Sequence, residues 1–251
     1  MSKPIVLITG ATAGIGDATA EILAKNNFDL ILTGRRNDRL DKIKSKLGEL
    51  CRVHTLCFDI RDRNQVDEAI ESLPSEWQNI DVLINNAGLA SGFDMFHESD
   101  IDDWEVMIDT NLKGLLYISR KVVPGMIKNG RGQIVNVGSI AGREVYEKGN
   151  VYCATKHAVE ALSQAMRIDM LRHNIKVSTI SPGIVETEFA LVRFKWDKEK
   201  SQIPYKGIVP LSANDIAEAI LFMVTRPPHV SVHDMLIMPN LQASVVYTLR
   251  E

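Results

Sequence analysis

The chain has 251 residues, with 29 Lys and Arg against 32 Asp and Glu for a formal charge of -3, and 45% hydrophobic residues. This is ordinary globular composition, long enough to bury about 70% of its unfolded surface without disulfides or a structural metal. Near-neutral charge argues against a nucleic-acid partner, and Cys51, Cys57 and Cys153, with no CxxC spacing, fit a reducing compartment; a cytoplasmic protein is expected.

The stretch 1–10 carries one Lys and an apolar run at 5–8, too short for a signal peptide or a membrane span, and reads as a buried strand. The longest apolar run elsewhere, 219–224, is also short, so no transmembrane helix is expected. Further apolar runs at 30–33, 53–58, 82–84, 134–137, 177–180 and 235–238 alternate with amphipathic stretches. Apolar strands joined by helices describe a parallel sheet covered on both faces. No linker or repeat divides the chain, so one doubly wound α/β domain spanning 1–251, with seven strands, is expected.

After the first strand comes Thr9-Gly10-Ala11-Thr12-Ala13-Gly14-Ile15-Gly16, then a helix-forming stretch at 17–25. Gly10 permits a tight turn, Gly14 lets backbone N–H groups approach a pyrophosphate, and Gly16 lets the helix lie close to the strand. The second strand ends in Arg35 and Arg36, where an NAD site would carry an acid for the ribose 2'-hydroxyl. Two cations just before a helix need an anion. A 2'-phosphate supplies it, with Arg35 as main partner and Arg36 near the adenine, which favours NADP; pairing with Asp38 is the plain alternative. Asp59, with Ile60 after it, either meets the adenine amino group or caps the helix near Asp62. Asn85-Asn86-Ala87-Gly88 closes the fourth strand with a small-residue turn suited to a ribose or nicotinamide, unless Asn85 and Asn86 merely cap the strand end.

Amphipathic residues 100–129, interrupted by Gly114 and Pro124, are expected to pack on the sheet and a neighbouring subunit, and they include Asn111. Ser139 follows the fifth strand at its carboxyl end, where open α/β sheets bind ligands. Tyr152 and Lys156, four apart, share one face of the next helix and can act on one atom. A phenol is a poor acid near neutrality, but a cation within reach, joined by an oxidised nicotinamide, lowers its pKa. Ala154, Ala158, Ala161 and Ala165 on that helix permit close packing, on the sheet or against a symmetry mate.

Residues 182–210 form a charged stretch without period, and 184–210 is expected to be a substrate lid rather than a plain connection. Pro227 and Pro228 precede His229 and His233, so these two are not expected to bind metal; Met223, Met235 and Met238 read as core filling.

TGxxxGxG, NNAG, Asn111, Ser139 and YxxxK, in this order and spacing, resemble the short-chain dehydrogenase/reductase family over essentially the whole chain. The resemblance implies a Rossmann-type fold, NADP as cofactor, and usually a homotetramer. It also implies that Tyr152 is the general acid/base, Lys156 holds the nicotinamide ribose, Ser139 hydrogen-bonds the substrate oxygen and Asn111 supports a water-borne proton relay. Pro182 and Gly183 match the family turn at the nicotinamide, with Ile184 and Thr187 near its carboxamide. Residues 72–77 leading into Ile80 and Asp81, 150–156 and 188–194 look like the NADP-dependent 3-hydroxy acid, or serine and L-allo-threonine, dehydrogenases and malonic semialdehyde reductases. Substrates of that branch carry a carboxylate, and the lid offers Arg193 and Lys195. Arg193 either clamps the carboxylate or pairs with Glu186 or Glu188, and Arg143 is either a second partner or bound to Glu144 or Glu147. Arg143-Glu144, and Cys153 where a glycine is common, depart from the branch and are expected to reshape the pocket. The alternatives are a carbonyl reductase of neutral ketones or 3-oxoacyl thioesters, and a dinucleotide-binding regulator without chemistry. A regulator has no reason to keep all four catalytic groups.

Overall fold

In the computed structural model, which describes residues 3–251, each apolar run but 219–224, which lies in a helix, becomes a strand; the first two residues of the expected domain lie outside the described residues. The strands are β1 Ile5–Ile8, β2 Asp29–Gly34, β3 Val53–Cys57, β4 Val82–Asn85, β5 Gly132–Val137, β6 Ile175–Pro182 and β7 Asp234–Ile237. They form one sheet in the order β3-β2-β1-β4-β5-β6-β7, parallel throughout. The helices between them are α1 Gly14–Lys25, α2 Asn37–Leu47, α3 Arg63–Glu71, α4 Ile101–Ile108, α5 Leu115–Lys128, α6 Asn150–Met170, α7 Phe189–Arg193, α8 Lys198–Gln202 and α9 Ala213–Val224.

Strand alternation explains why β1 is apolar at every position. Val6 and Ile8 pack on one side against Leu23 of α1, Leu40 of α2 and Ile220 of α9. Ile5 and Leu7 pack on the other against Val66 of α3 and Ile118 and Val122 of α5. Strand order reverses between β1 and β4, which leaves a crevice at their carboxyl ends.

The structure departs from the sequence reading at three places. Helix α1 starts at Gly14, not 17, so Gly14 and Gly16 belong to its first turn. Residues 101–128 are unbroken, because α4 passes through a π-helical turn, Asp109–Gly114, directly into α5. Gly114 is a close-approach residue there, since a Cβ would come within 3.0 Å of Ile60, and Pro124 is carried on the exposed side of α5. The charged stretch is no bare loop either, as it holds α7, α8 and a 3-10 turn, Ile203–Tyr205. Among the described residues no helix is long and apolar enough to cross a membrane, and no three His, Cys, Asp or Glu side chains cluster as metal ligands.

Candidate active site

A cleft of about 460 Å³ opens at the strand reversal, walled by the turns after β1, β2, β4, β5 and β6. Gly10 and Gly14 take φ of +65° and +56°, which an L side chain resists, and a Cβ at Gly16 would sit 2.4 Å from the Gly10 carbonyl. Ala13 precedes α1 and has no side chain to cap it, so the first N–H groups of the helix are left for a ligand. Thr9 ties the β4 turn to β1, its Oγ1 accepting from the backbone N–H groups of Asn86 and Ala87 at 3.0 Å. Asn86 donates through Nδ2 to the Thr9 and Gly10 carbonyls, and Asn85 donates to Ser119 and Asn136. Both asparagines therefore brace the turn, while Ala87 and Gly88 line the cleft with Asn86.

Thr12, Ile15, Arg35, Arg36, Asp59 and Ile60 line the far end. Arg35 is exposed, 3.8 Å from Asp59, whereas Arg36 donates to Thr12 Oγ1 and, at 2.9 Å, to Glu188. Arg39, which sequence reasoning passed over, joins it on Glu188 at 2.8 Å. Burial pushes the Glu188 carboxyl up, but these two guanidiniums outweigh that and hold it below its ordinary value. Neither Arg35 nor Arg36 pairs with Asp38. Asp59 does not cap α3; Asp62 does, and Asp59 is gripped by Arg61 instead. A glycine cradle, a free helix N-terminus and a cluster of arginines fit a dinucleotide carrying an extra phosphate at this end.

Ser139, Tyr152 and Lys156 meet at the other end, beside Pro182, Gly183 and Thr187. Helix α6 delivers Tyr152 and Lys156 from its first two turns, both buried. Lys156 donates to the Val137 carbonyl at 2.9 Å. Burial lowers its pKa to about 8, with Glu160 pulling the other way. Tyr152 is pushed above the usual phenol range, chiefly by burial, with Arg193 and Ser139 opposing. The expected lowering of the phenol is therefore not present in the protein alone, because desolvation outweighs the nearby charge. Asn111 lies behind the wall, bonded through both amide atoms to the Leu89 backbone and through Nδ2 to Thr155. Ile184 offers no N–H to the cleft, since Gln242 takes it at 2.9 Å.

Arg193 sits over Tyr152, its Cζ 4.9 Å from the ring centroid, among Phe93, Tyr146 and Phe189. It pairs with neither Glu186 nor Glu188: Nη2 donates to the Tyr146 hydroxyl, and its buried Nε has no partner among the described residues. Lys195 is spent on Asp103 at 2.9 Å. Arg143 is also corrected, because it turns away to Asp234 on β7, outside the cleft, and Glu144 accepts from the Val245 N–H. Cys153 lies off the cleft as well; a Cβ at Gly149 would touch both its Sγ and the Tyr146 ring at 2.8 Å, so Cys153 underlies Tyr146 instead of reaching substrate.

A family described as short chain dehydrogenase matches residues 4–198. The chain is 46% identical over 240 residues to the NADP-dependent 3-hydroxy acid dehydrogenase YdfG of Salmonella typhi, covering 95% of this chain and 96% of that one. It is 42% identical to sulfoacetaldehyde reductase 2 of Chromohalobacter salexigens, covering 95% of each. Among solved structures, the closed form of serine dehydrogenase complexed with NADP+ superposes with a TM-score of 0.92 at 42% identity, over 98% of this chain and 99% of that one.

Proposed function

The chain belongs to the short-chain dehydrogenase family, and from that premise we propose that it is an NADP-dependent oxidoreductase interconverting small 3-hydroxy acids, of the serine, L-allo-threonine or 3-hydroxypropionate type, with their 3-oxo acids. The observation that carries the substrate class is Arg193, a guanidinium over Tyr152 in the small pocket adjoining the cleft, whose buried Nε–H has no partner among the described residues and reaches an acid once the lid shifts. Full-length likeness to enzymes named for NADP and 3-hydroxy acids supports the same reading.

NADP, when bound, supplies the hydride acceptor or donor. Gly10, Gly14 and the α1 N-terminus would hold its pyrophosphate and Arg35 its 2'-phosphate, with Arg36, fixed on Thr12 and Glu188, lining the same end. Ser139 fixes the substrate oxygen, Tyr152 exchanges its proton, and Lys156 contributes positive charge beneath. Asn111 acts by holding the Leu89 turn against Thr155 of α6, next to the proton route. Phe189 and Arg193 of the lid close over Tyr152 and exclude water. A guanidinium also suits a sulfonate head, consistent with the relative named for sulfoacetaldehyde. We place the enzyme in the cytoplasm, as a homotetramer packing through α4, α5 and α6.

Initial rates with NADP+ and NAD+ over L-serine, L-allo-threonine, 3-hydroxypropionate and neutral alcohols of equal size test this. Acids turned over faster than alcohols, with NADP+ preferred, is the expected result. Equal or greater activity on the neutral alcohols overturns the acid reading.

A further inference from the structure

Glu160 is a buried carboxylate that the acid–base chemistry above does not use. Acidic side chains are seldom buried unless something compensates their charge. It lies one helical turn after Lys156 on α6, and the Ser181 hydroxyl of β6 donates to it at 2.5 Å. Two glycines make room for it. A Cβ at Gly138 would sit 2.9 Å from Glu160 Oε1, and one at Gly142 would sit 3.1 Å from Glu160 Cγ and 2.7 Å from the Lys156 carbonyl. Gly138 directly follows Val137, whose carbonyl holds Lys156 Nζ. The carboxylate thus occupies a made-to-measure niche next to the peptide that anchors the ammonium.

From this arrangement we infer that Glu160 is a positioning residue for the acid–base pair: a buried counter-charge that keeps Lys156 protonated beneath Tyr152. The inference rests on the roles proposed above for Tyr152 and Lys156. Burial alone drives a lysine toward its neutral form, and a neutral Lys156 has no charge with which to stabilise a phenolate. Glu160 is the charge that opposes this, already leaving the lysine at about 8. The other titratable groups around the pair, Tyr146, Arg193 and Cys153, bear on Tyr152 from the 146 loop, the lid and α6 itself. Among the described residues the facing ends of β5 and β6 bring Val137, Thr179 and Ser181, none of which titrates, the π-helical turn brings Asn111, and Arg143 is paired to Asp234.

The test is the pH profile of kcat/KM for alcohol oxidation by the Glu160→Gln enzyme, which keeps the shape and the bond to Ser181. Without the counter-charge Lys156 loses its proton earlier and Tyr152 ionises later. The acidic limb should therefore move up by about one pH unit, with roughly tenfold lower activity on that limb. Glu160→Asp should restore part of the shift. An unmoved limb, whatever the plateau rate, assigns Glu160 to packing and overturns the inference. Should the Gln enzyme fail to fold, Ser181→Ala, which only frees the carboxylate, should shift the limb less in the same direction; no shift there counts equally against it. Turnover by Tyr152→Phe within about tenfold of the unsubstituted enzyme would instead refute the underlying roles, so the two failures are separable.

Discussion

Replacing Arg193 with Met removes the lid's guanidinium while keeping an unbranched apolar side chain among the rings of Phe93, Tyr146, Tyr152 and Phe189. Those rings lie 4.9 to 5.7 Å from the guanidinium carbon, and Nη2 also donates to the Tyr146 hydroxyl, so the free enzyme loses cation–π attraction and one charge-assisted hydrogen bond, together about 2–3 kcal/mol. In a domain of this size that lowers Tm by roughly 4–12 °C. The loss with substrate is larger and selective. A charge-assisted hydrogen bond to a carboxylate contributes about 1.5–3 kcal/mol, equivalent to roughly 10- to 150-fold in kcat/KM. Steady-state kinetics of the Met variant should show that loss with 3-hydroxypropionate, mostly in KM. Less than about threefold should be lost with a neutral alcohol of equal length. Equal losses for both would mean that Arg193 shapes the ring cluster and does not bind the acid.

Tyr152→Phe should reduce turnover by roughly 100- to 10,000-fold, the usual contribution of a positioned acid–base group, while the Kd for NADPH, read by fluorescence, stays within about threefold. Arg35→Ala should weaken NADPH by roughly 10-fold or more and leave NADH nearly unchanged, since Arg35 is exposed and free of the Glu188 network that holds Arg36 and Arg39. Equal weakening of both cofactors would remove Arg35 from phosphate recognition.

The sheet was legible because its inner strands, β1, β2, β4, β5 and β6, are buried along nearly their whole length, and short apolar runs recurring between amphipathic stretches have few other origins. The first glycine turn, Ser139, Tyr152 and Lys156 were legible for a related reason, since short spacings and strand ends place them without knowledge of tertiary contacts. What escaped depends on residues distant in sequence. Glu188 meets Arg36 and Arg39 across about 150 positions, and Arg143 finds Asp234 rather than the neighbouring Glu144. No local pattern carries such pairings. Helices α7 and α8 are five residues each, too short for a period to show through their charges. The burial that raises the Tyr152 phenol in the protein alone is likewise invisible in the spacing to Lys156, and it sets what the cation and a bound nicotinamide together have to overcome.

Helix α7 is only five residues, about 7.5 Å of rod. Glu188 at its head is clasped by arginines of the nucleotide end, and Arg193 at its tail lies on the catalytic phenol. A rod that short cannot bend between its ends. Whatever draws Arg36 off Glu188 displaces the head, and the tail travels with it, so occupancy of the nucleotide end is felt by the guanidinium we propose as the acid's partner. Such a coupling is reciprocal by thermodynamic necessity: an acid that fixes the tail also steadies the arginines at the head.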